Sequence, residues 1–170
     1  MVEPGGSGDG VLTALDAATA QHTGATFTLI SGQGGDPALA LVGGARTATG
    51  SVNAAVAIDG AHVQLIAQAL GPGRALVGDL SAGDVAHILR RDGGTDTLLC
   101  SGQAVPVFDS SATTAVGLAV VGHTATLSIG GAPVATCDLS SDPDATDHGA
   151  WGIAAVGGTK VTIATITVSR

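Results

Sequence analysis

The sequence predicts an all-β protein, a two-sheet antiparallel sandwich, and three observations carry that expectation. The first is residue usage. Val, Thr, Ala and Gly dominate, with 27 Gly, while Lys160 is the one Lys and Glu3 the one Glu. Helices lean on Glu, Lys and Gln, whereas strands favour Val, Ile and Thr. The second is punctuation: short Val/Ile/Thr-rich runs recur, each closed by Gly or Asp turn chemistry. The third is periodicity, since no segment keeps a helical repeat over three turns and no repeat of fixed period appears.

About a dozen short strands are expected in chain order. Met1–Gly10 reads as a flexible Gly-rich arm, followed by a single domain over residues 11–170. Thr26–Ile30 alternates and ends at a Gly-rich turn, and Ala38–Val42 ends at Gly43-Gly44. Val52–Ile58 and His62–Leu70 flank Asp59-Gly60, the strongest hairpin signal in the chain. Ala75–Leu80 follows the breaker Gly71-Pro72-Gly73. Asp84–Arg90 fits a helical turn or a strand, and the strand is favoured because Gly93-Gly94 then turns it into Thr97–Cys100. Ala115–Val121 and Thr124–Ile129 form a hairpin over Gly122-His123, and Gly130-Gly131 leads into Val134–Leu139. Finally Gly149–Val156 and Lys160–Val168 are expected to pair across Gly157-Gly158, although Ala164-Thr165 breaks the strict alternation of the last strand.

Composition excludes several function classes. An apolar fraction of 45% excludes disorder. At this length about 70% of the unfolded surface is buried on folding, so no staple is required for stability. No run of eighteen apolar residues exists to span a membrane as a helix, and the first ten residues lack the basic and apolar regions of a signal peptide. The net charge of −8, with Arg at five positions and no basic run, argues against nucleic acid and anionic membrane as partners. Cys100 and Cys137 are too few for a disulfide scaffold, and either one bridge or two buried thiols fits them.

The stretch Gly117 to Ser140, GLAVVGHTATLSIGGAPVATCDLS, resembles the strand–turn–strand pattern of the concanavalin A-like, laminin G-like jelly rolls. His148 to Arg170, HGAWGIAAVGGTKVTIATITVSR, resembles the closing hairpin of that superfamily, and Arg74 to Leu99 its paired middle strands. The resemblance covers roughly residues 52–170 and implies a jelly-roll sandwich. It leaves function open among lectins, glycosidases, adhesion modules and virion proteins.

Candidate chemistry is sparse. Glycosidases of this superfamily use paired Glu residues, and glycoside hydrolysis needs two carboxylates, one tuned as an acid. Glu3 stands alone, and the substitute pair Asp79 and Asp84 reads better as turn chemistry. Zinc spacings are missing among His22, His62, His87, His123 and His148, and no G-x-S-x-G or phosphate loop occurs. Sugar sites commonly present an aromatic ring to a pyranose face. With no Tyr, the weak candidates are Trp151 and Phe108, with Phe27 a third, and Trp151 also reads as a core anchor. The loop carrying Asp142, Asp144 and Asp147, next to His148, is a weak Ca²⁺ candidate without the EF-hand pattern.

Elimination leaves a non-catalytic binding or structural part without a required cofactor. The expectation drawn from it is a phage virion component, decorating a capsid or attached to a tail. Its partners would be coat or tail subunits, or further copies of itself, and it would assemble in the host cytoplasm. The alternative is an extracellular, laminin G-like or lectin-like glycan-binding module of a larger protein. Small exposed side chains suit repeated protein contacts, because little rotamer entropy is lost on docking.

Overall fold

The structure, a computed structural model, describes residues 12–14, 19–23, 26–32, 37–71 and 73–169. The expected arm Met1–Gly10 lies outside the described residues. Among the described residues every regular element is a strand: β1 Leu12–Ala14, β2 Thr19–Thr23, β3 Thr26–Ile30, β4 Ala38–Thr47, β5 Gly50–Asp59, β6 His62–Gly71 and β7 Arg74–Ser81. Then come β8 Val85–Asp92, β9 Thr95–Ala104, β10 Thr114–Val121, β11 Thr124–Ile129, β12 Ala132–Asp138, β13 Gly149–Ala155 and β14 Lys160–Ser169. Two seven-stranded antiparallel sheets result. Sheet A runs β1-β4-β13-β6-β7-β8-β9 and sheet B runs β12-β11-β10-β5-β14-β3-β2. The fold is a jelly-roll sandwich of the concanavalin A-like kind, as expected.

Local turn chemistry places three hairpins where the sequence puts them. Val121 pairs with Thr124 across Gly122-His123, and Gly122 has the positive φ of +58° that a type II′ turn needs at its first position. Ile129 pairs with Ala132 across Gly130-Gly131, and Asp92 with Thr95 across Gly93-Gly94. Residues 85–92 are therefore strand and not a helical turn. β4 runs through Gly43-Gly44 to Thr47 and is longer than the sequence suggests.

The two remaining hairpin expectations are corrected. Asp59-Gly60 joins β5 of sheet B to β6 of sheet A, so it is a corner between sheets. A type I′ hairpin needs positive φ at both central residues, whereas only Gly60 has it, at +128°. Gly157-Gly158 likewise carries β13 of sheet A over to β14 of sheet B. Both corners are fastened to Thr159, which is 1% exposed. Its backbone N donates to the Val156 carbonyl, its hydroxyl accepts from the His62 N at 3.1 Å, and its carbonyl accepts from the Ser31 N and hydroxyl. A Cβ on Gly60 would sit 2.8 Å from the Thr159 hydroxyl oxygen, so glycine is needed there for space as well as for φ.

The core lies between the sheets and follows the pleat. Val63, Leu65, Leu76, Leu80, Ile88, Ile153 and Trp151 from sheet A meet Val52, Val56, Ile58, Val116, Leu118, Leu127 and Val161 from sheet B. The broken alternation at Ala164-Thr165 is a β-bulge: Ile163 faces Val56 and Thr165 faces Ala55, leaving Ala164 unpaired. That extra residue returns Ile166 and Val168 to the core side.

Cys100 on β9 and Cys137 on β12 form a disulfide with a Cα–Cα distance of 5.6 Å. The bridge ties the edge strand of one sheet to the edge strand of the other. Opening this 37-residue link is expected to release about 4 kcal/mol of loop-closure stabilisation in the chain-entropy account. Denaturant unfolding of Cys100→Ala/Cys137→Ala should show that loss, and added reductant should lower wild-type stability but leave the variant unchanged.

Candidate functional site

Strands β6, β7 and β8 sit inside sheet A, and their alternate side chains point away from the core. On β7 the inward set is Leu76, Gly78 and Leu80, so Ala75, Val77, Asp79 and Ser81 face outward. On β6 the outward set begins His62, Gln64 and Ile66, and on β8 it is Val85, His87, Leu89 and Arg91. The outer face carries an apolar floor, because Leu39, Leu41, Ile66, Ala75, Val77 and Ala154 form a second buried cluster with Leu89 and Ala150 against it.

A polar ladder crosses that floor. Gln64, Asp79 and His87 are register partners on adjacent strands. His62 Nε2 lies 2.5 Å from Asp79 Oδ1, and Gln64 Nε2 donates to the same oxygen at 2.6 Å. Gln64 is held in turn, its Oε1 accepting from Arg91 Nη2 at 3.3 Å. Arg91 grips Asp96 of β9 through Nε and Nη2, both at 2.7 Å, a bidentate pair that fixes the guanidinium plane. Asp96 holds the Arg91 pKa above its usual value, against the opposing effect of burial.

Asp79 is 7% exposed, and burial alone would push its carboxyl upward. The hydrogen bond and charge of His62, the Gln64 amide and the nearby His87 outweigh that and hold it below the ordinary carboxylate range. Both of these bonds use Oδ1, so Oδ2 has no hydrogen-bond partner among the described residues. Among the described residues Arg91 Nη1, His62 Nδ1 and the His87 ring are also without hydrogen-bond partners, and they share this face. The ladder thus holds one fixed carboxylate on the same face as a guanidinium and two imidazoles.

The acidic loop after β12 does different work. Arg90 of β8, 6% exposed, is paired with Asp142 and donates through Nη2 to Gln68 Oε1 at 3.1 Å. Gln68 sits at φ +55° in the bulge of β6, and its amide donates to the carbonyls of Ala48 and Ala145. A non-glycine residue in that region costs about 1–3 kcal/mol, which these bonds offset. Arg74 Nη2 reaches Asp144 at 2.5 Å and Asp147 at 3.2 Å. The three aspartates named for Ca²⁺ are therefore taken up by two arginines, and no group of three ligating side chains is found among the described residues.

The aromatic candidates are also relocated. Trp151 is 0% exposed, and its Nε1 donates to the Thr47 carbonyl at 3.1 Å, so it anchors the core and offers no ring to a ligand. Phe27 is 3% exposed, and Phe108 is half-buried against the same core. Asp84 forms the β7–β8 turn, its carboxylate accepting from the Val85 N at 2.8 Å. On the outer face of sheet B a depression of about 230 Å³ is lined by Asn53, Ala55, Ala115, Ser128, Thr165 and Thr167, without a charged side chain.

Sequence reasoning singled out Asp79 but missed His62, Gln64, His87 and Arg91 as its companions. Their signal is polar residues two apart in otherwise apolar strands, which becomes a cluster only once the strand registers are known.

No protein-family model matches this sequence, and the search of curated proteins finds no match. Solved structures do match. A carbohydrate-binding module, CBM66 from Bacillus subtilis, aligns at TM-score 0.75 with 13% identity over 94% of this chain and 95% of that one. The Emp46p carbohydrate recognition domain in its potassium-bound form aligns at 0.67 with 11% identity, covering 94% and 88%. The κ-carrageenase of Pseudoalteromonas carrageenovora, in complex with a κ-carrageenan oligosaccharide, aligns at 0.53 with 11% identity, covering 88% and 82%. At these identities the likeness shows the shared sandwich.

Two outcomes follow from this geometry. Because the folded Asp79 carboxyl titrates below its unfolded value, its contribution is complete above about pH 4 and is lost as pH falls through the lower folded value. Asp79→Asn should therefore flatten the acid limb of a stability–pH curve. Arg90→Ala strands a buried Asp142 charge and should cost about 3–5 kcal/mol in denaturant unfolding, part of it restored in Arg90→Ala/Asp142→Ala.

Proposed function

We propose that the protein is a non-catalytic carbohydrate-binding module that reads its ligand with the polar ladder on the outer face of sheet A. The observation that carries this reading is Asp79: one carboxylate oxygen is fixed by His62 and Gln64, and the other has no hydrogen-bond partner among the described residues, with His87 its register neighbour and Arg91 held by the same Gln64. Such a group accepts sugar hydroxyls at a set position, and the neighbouring donors give orientation. The matched carbohydrate-binding and recognition domains support the same reading. They lend no support to the capsid-decorating or tail-associated expectation, and the glycan-binding alternative takes its place.

Hydrolysis is less well supported, although hydrolases share the sandwich. A glycosidase acid needs a carboxyl raised toward neutrality, and Asp79 is shifted the opposite way. Asp96, the other carboxylate of this face, is engaged by Arg91. The Cys100–Cys137 bridge supports an oxidising, extracellular setting, as such links persist outside the reducing cytosol.

A glycan array followed by titration calorimetry tests the proposal. Wild type should bind a saccharide saturably. Asp79→Asn and His87→Ala should each weaken binding at least about tenfold (about 1.4 kcal/mol). Among the described residues His87 has no hydrogen-bond partner, so its removal should cost little thermal stability. Absence of saccharide binding, or full binding by both variants, would overturn the proposal.

A further inference from the structure

We infer that the ligand of this face is a neutral saccharide held by hydrogen bonds alone, with neither an aromatic stacking platform nor a bridging cation. The inference rests on the glycan-binding reading and narrows it to a ligand class.

Stacking is excluded by where the rings are. The chain has no Tyr. Trp151 and Phe27 are buried between the sheets, and Phe108 packs against that same core. The floor beneath the ladder is aliphatic, built from Ile66, Val77 and Leu89. A sugar lying there meets short aliphatic groups, and its orientation must come from its hydroxyls.

Charge selects against acidic sugars. The face holds Asp79 and Asp96 against Arg91, whose Nε and Nη2 are already committed to Asp96. Arg74 and Arg90 are committed to the acidic loop. Arg46 is the next-to-last residue of β4, two strands away from β6, and Lys160 begins β14 in the other sheet. A sulfate or uronate on the ladder would meet the carboxylate of Asp79, and the charge of the neighbouring Arg91 is already balanced by Asp96, within a chain of net charge −8. A hydroxyl pair instead donates to Asp79 Oδ2 and accepts from Arg91 Nη1 or an imidazole N–H. Among the described residues no group of three ligating side chains is there to bridge a cation, and Asp142, Asp144 and Asp147 answer to arginines.

The test is calorimetry of the full chain against matched neutral, sulfated and uronate-bearing oligosaccharides, with and without EDTA. Neutral ligands should bind at least about tenfold more tightly than their acidic counterparts. EDTA should change nothing, and the heat-capacity change should be small because little apolar surface is covered. Asp79→Asn should weaken neutral ligands, while Asn53→Ala on the opposite sheet should bind as wild type. Preference for acidic ligands, tighter acidic binding by Asp79→Asn, or loss of binding in EDTA would overturn this inference and leave the glycan-binding function standing. Failure of every saccharide to bind would remove that function and the inference together.

Discussion

Everything the outer face of sheet A presents depends on the register of β7. Its eight residues alternate without a break, so Leu76 and Leu80 enter the core while Val77 and Asp79 leave it. A slip of one residue would drive Asp79 among Leu118 and Leu127 and turn Leu80 to solvent. Gly78 holds the register: a Cβ there would lie 2.7 Å from Leu127 Cδ1 and 3.5 Å from Leu118 Cδ1 of the opposing sheet. A side chain there would displace the ends of those leucines, and the residue after Gly78 is the carboxylate.

The two ends of the sandwich are closed by different physics. At one end the corners after Asp59 and Val156 converge on Thr159, whose single hydroxyl and backbone serve three segments. Neutral hydrogen bonds suffice there, since the chain only has to turn. At the other end the loop of residues 139–148 must be held over the core without regular structure. Charge does that work, through Arg90 with Asp142 and Arg74 with Asp144 and Asp147. The desolvated Arg90–Asp142 pair adds little net stability but fixes position, because breaking it strands a partner, whereas the partly exposed Arg74 is screened by solvent.

The lateral edges bear on self-association. β9 carries register irregularities against β8, and β12 has one beside Pro133 together with the disulfide to β9. Bulges and proline make poor templates for an added strand. That geometry disfavours strand addition at these two edges.

The sequence by itself determined most of the strands from β3 onward and most of their turns, while β1 and β2 went unexpected. β3, β10, β11 and β12, the Gly-led turns between them and the bulge of β14 are local, set by two-residue periodicity and by which residues tolerate positive φ. Trp151 as a core anchor was legible for the same reason, as an apolar side chain in an apolar strand. What only the tertiary structure decided is which strands share a sheet. Asp59-Gly60 and Gly157-Gly158 look like hairpin turns, yet each crosses from one sheet to the other, because partner choice depends on packing across the core rather than on the turn. The ladder of His62, Gln64, Asp79, His87 and Arg91 is spread over 30 positions and three strands, and the sequence carries no measure of register between them. The loop aspartates likewise read as cation ligands until Arg74 and Arg90, distant in sequence, are folded against them. Charge compensation at that range is a property of the assembled sandwich, because the electrostatics of a site are summed over neighbours that the chain order does not reveal.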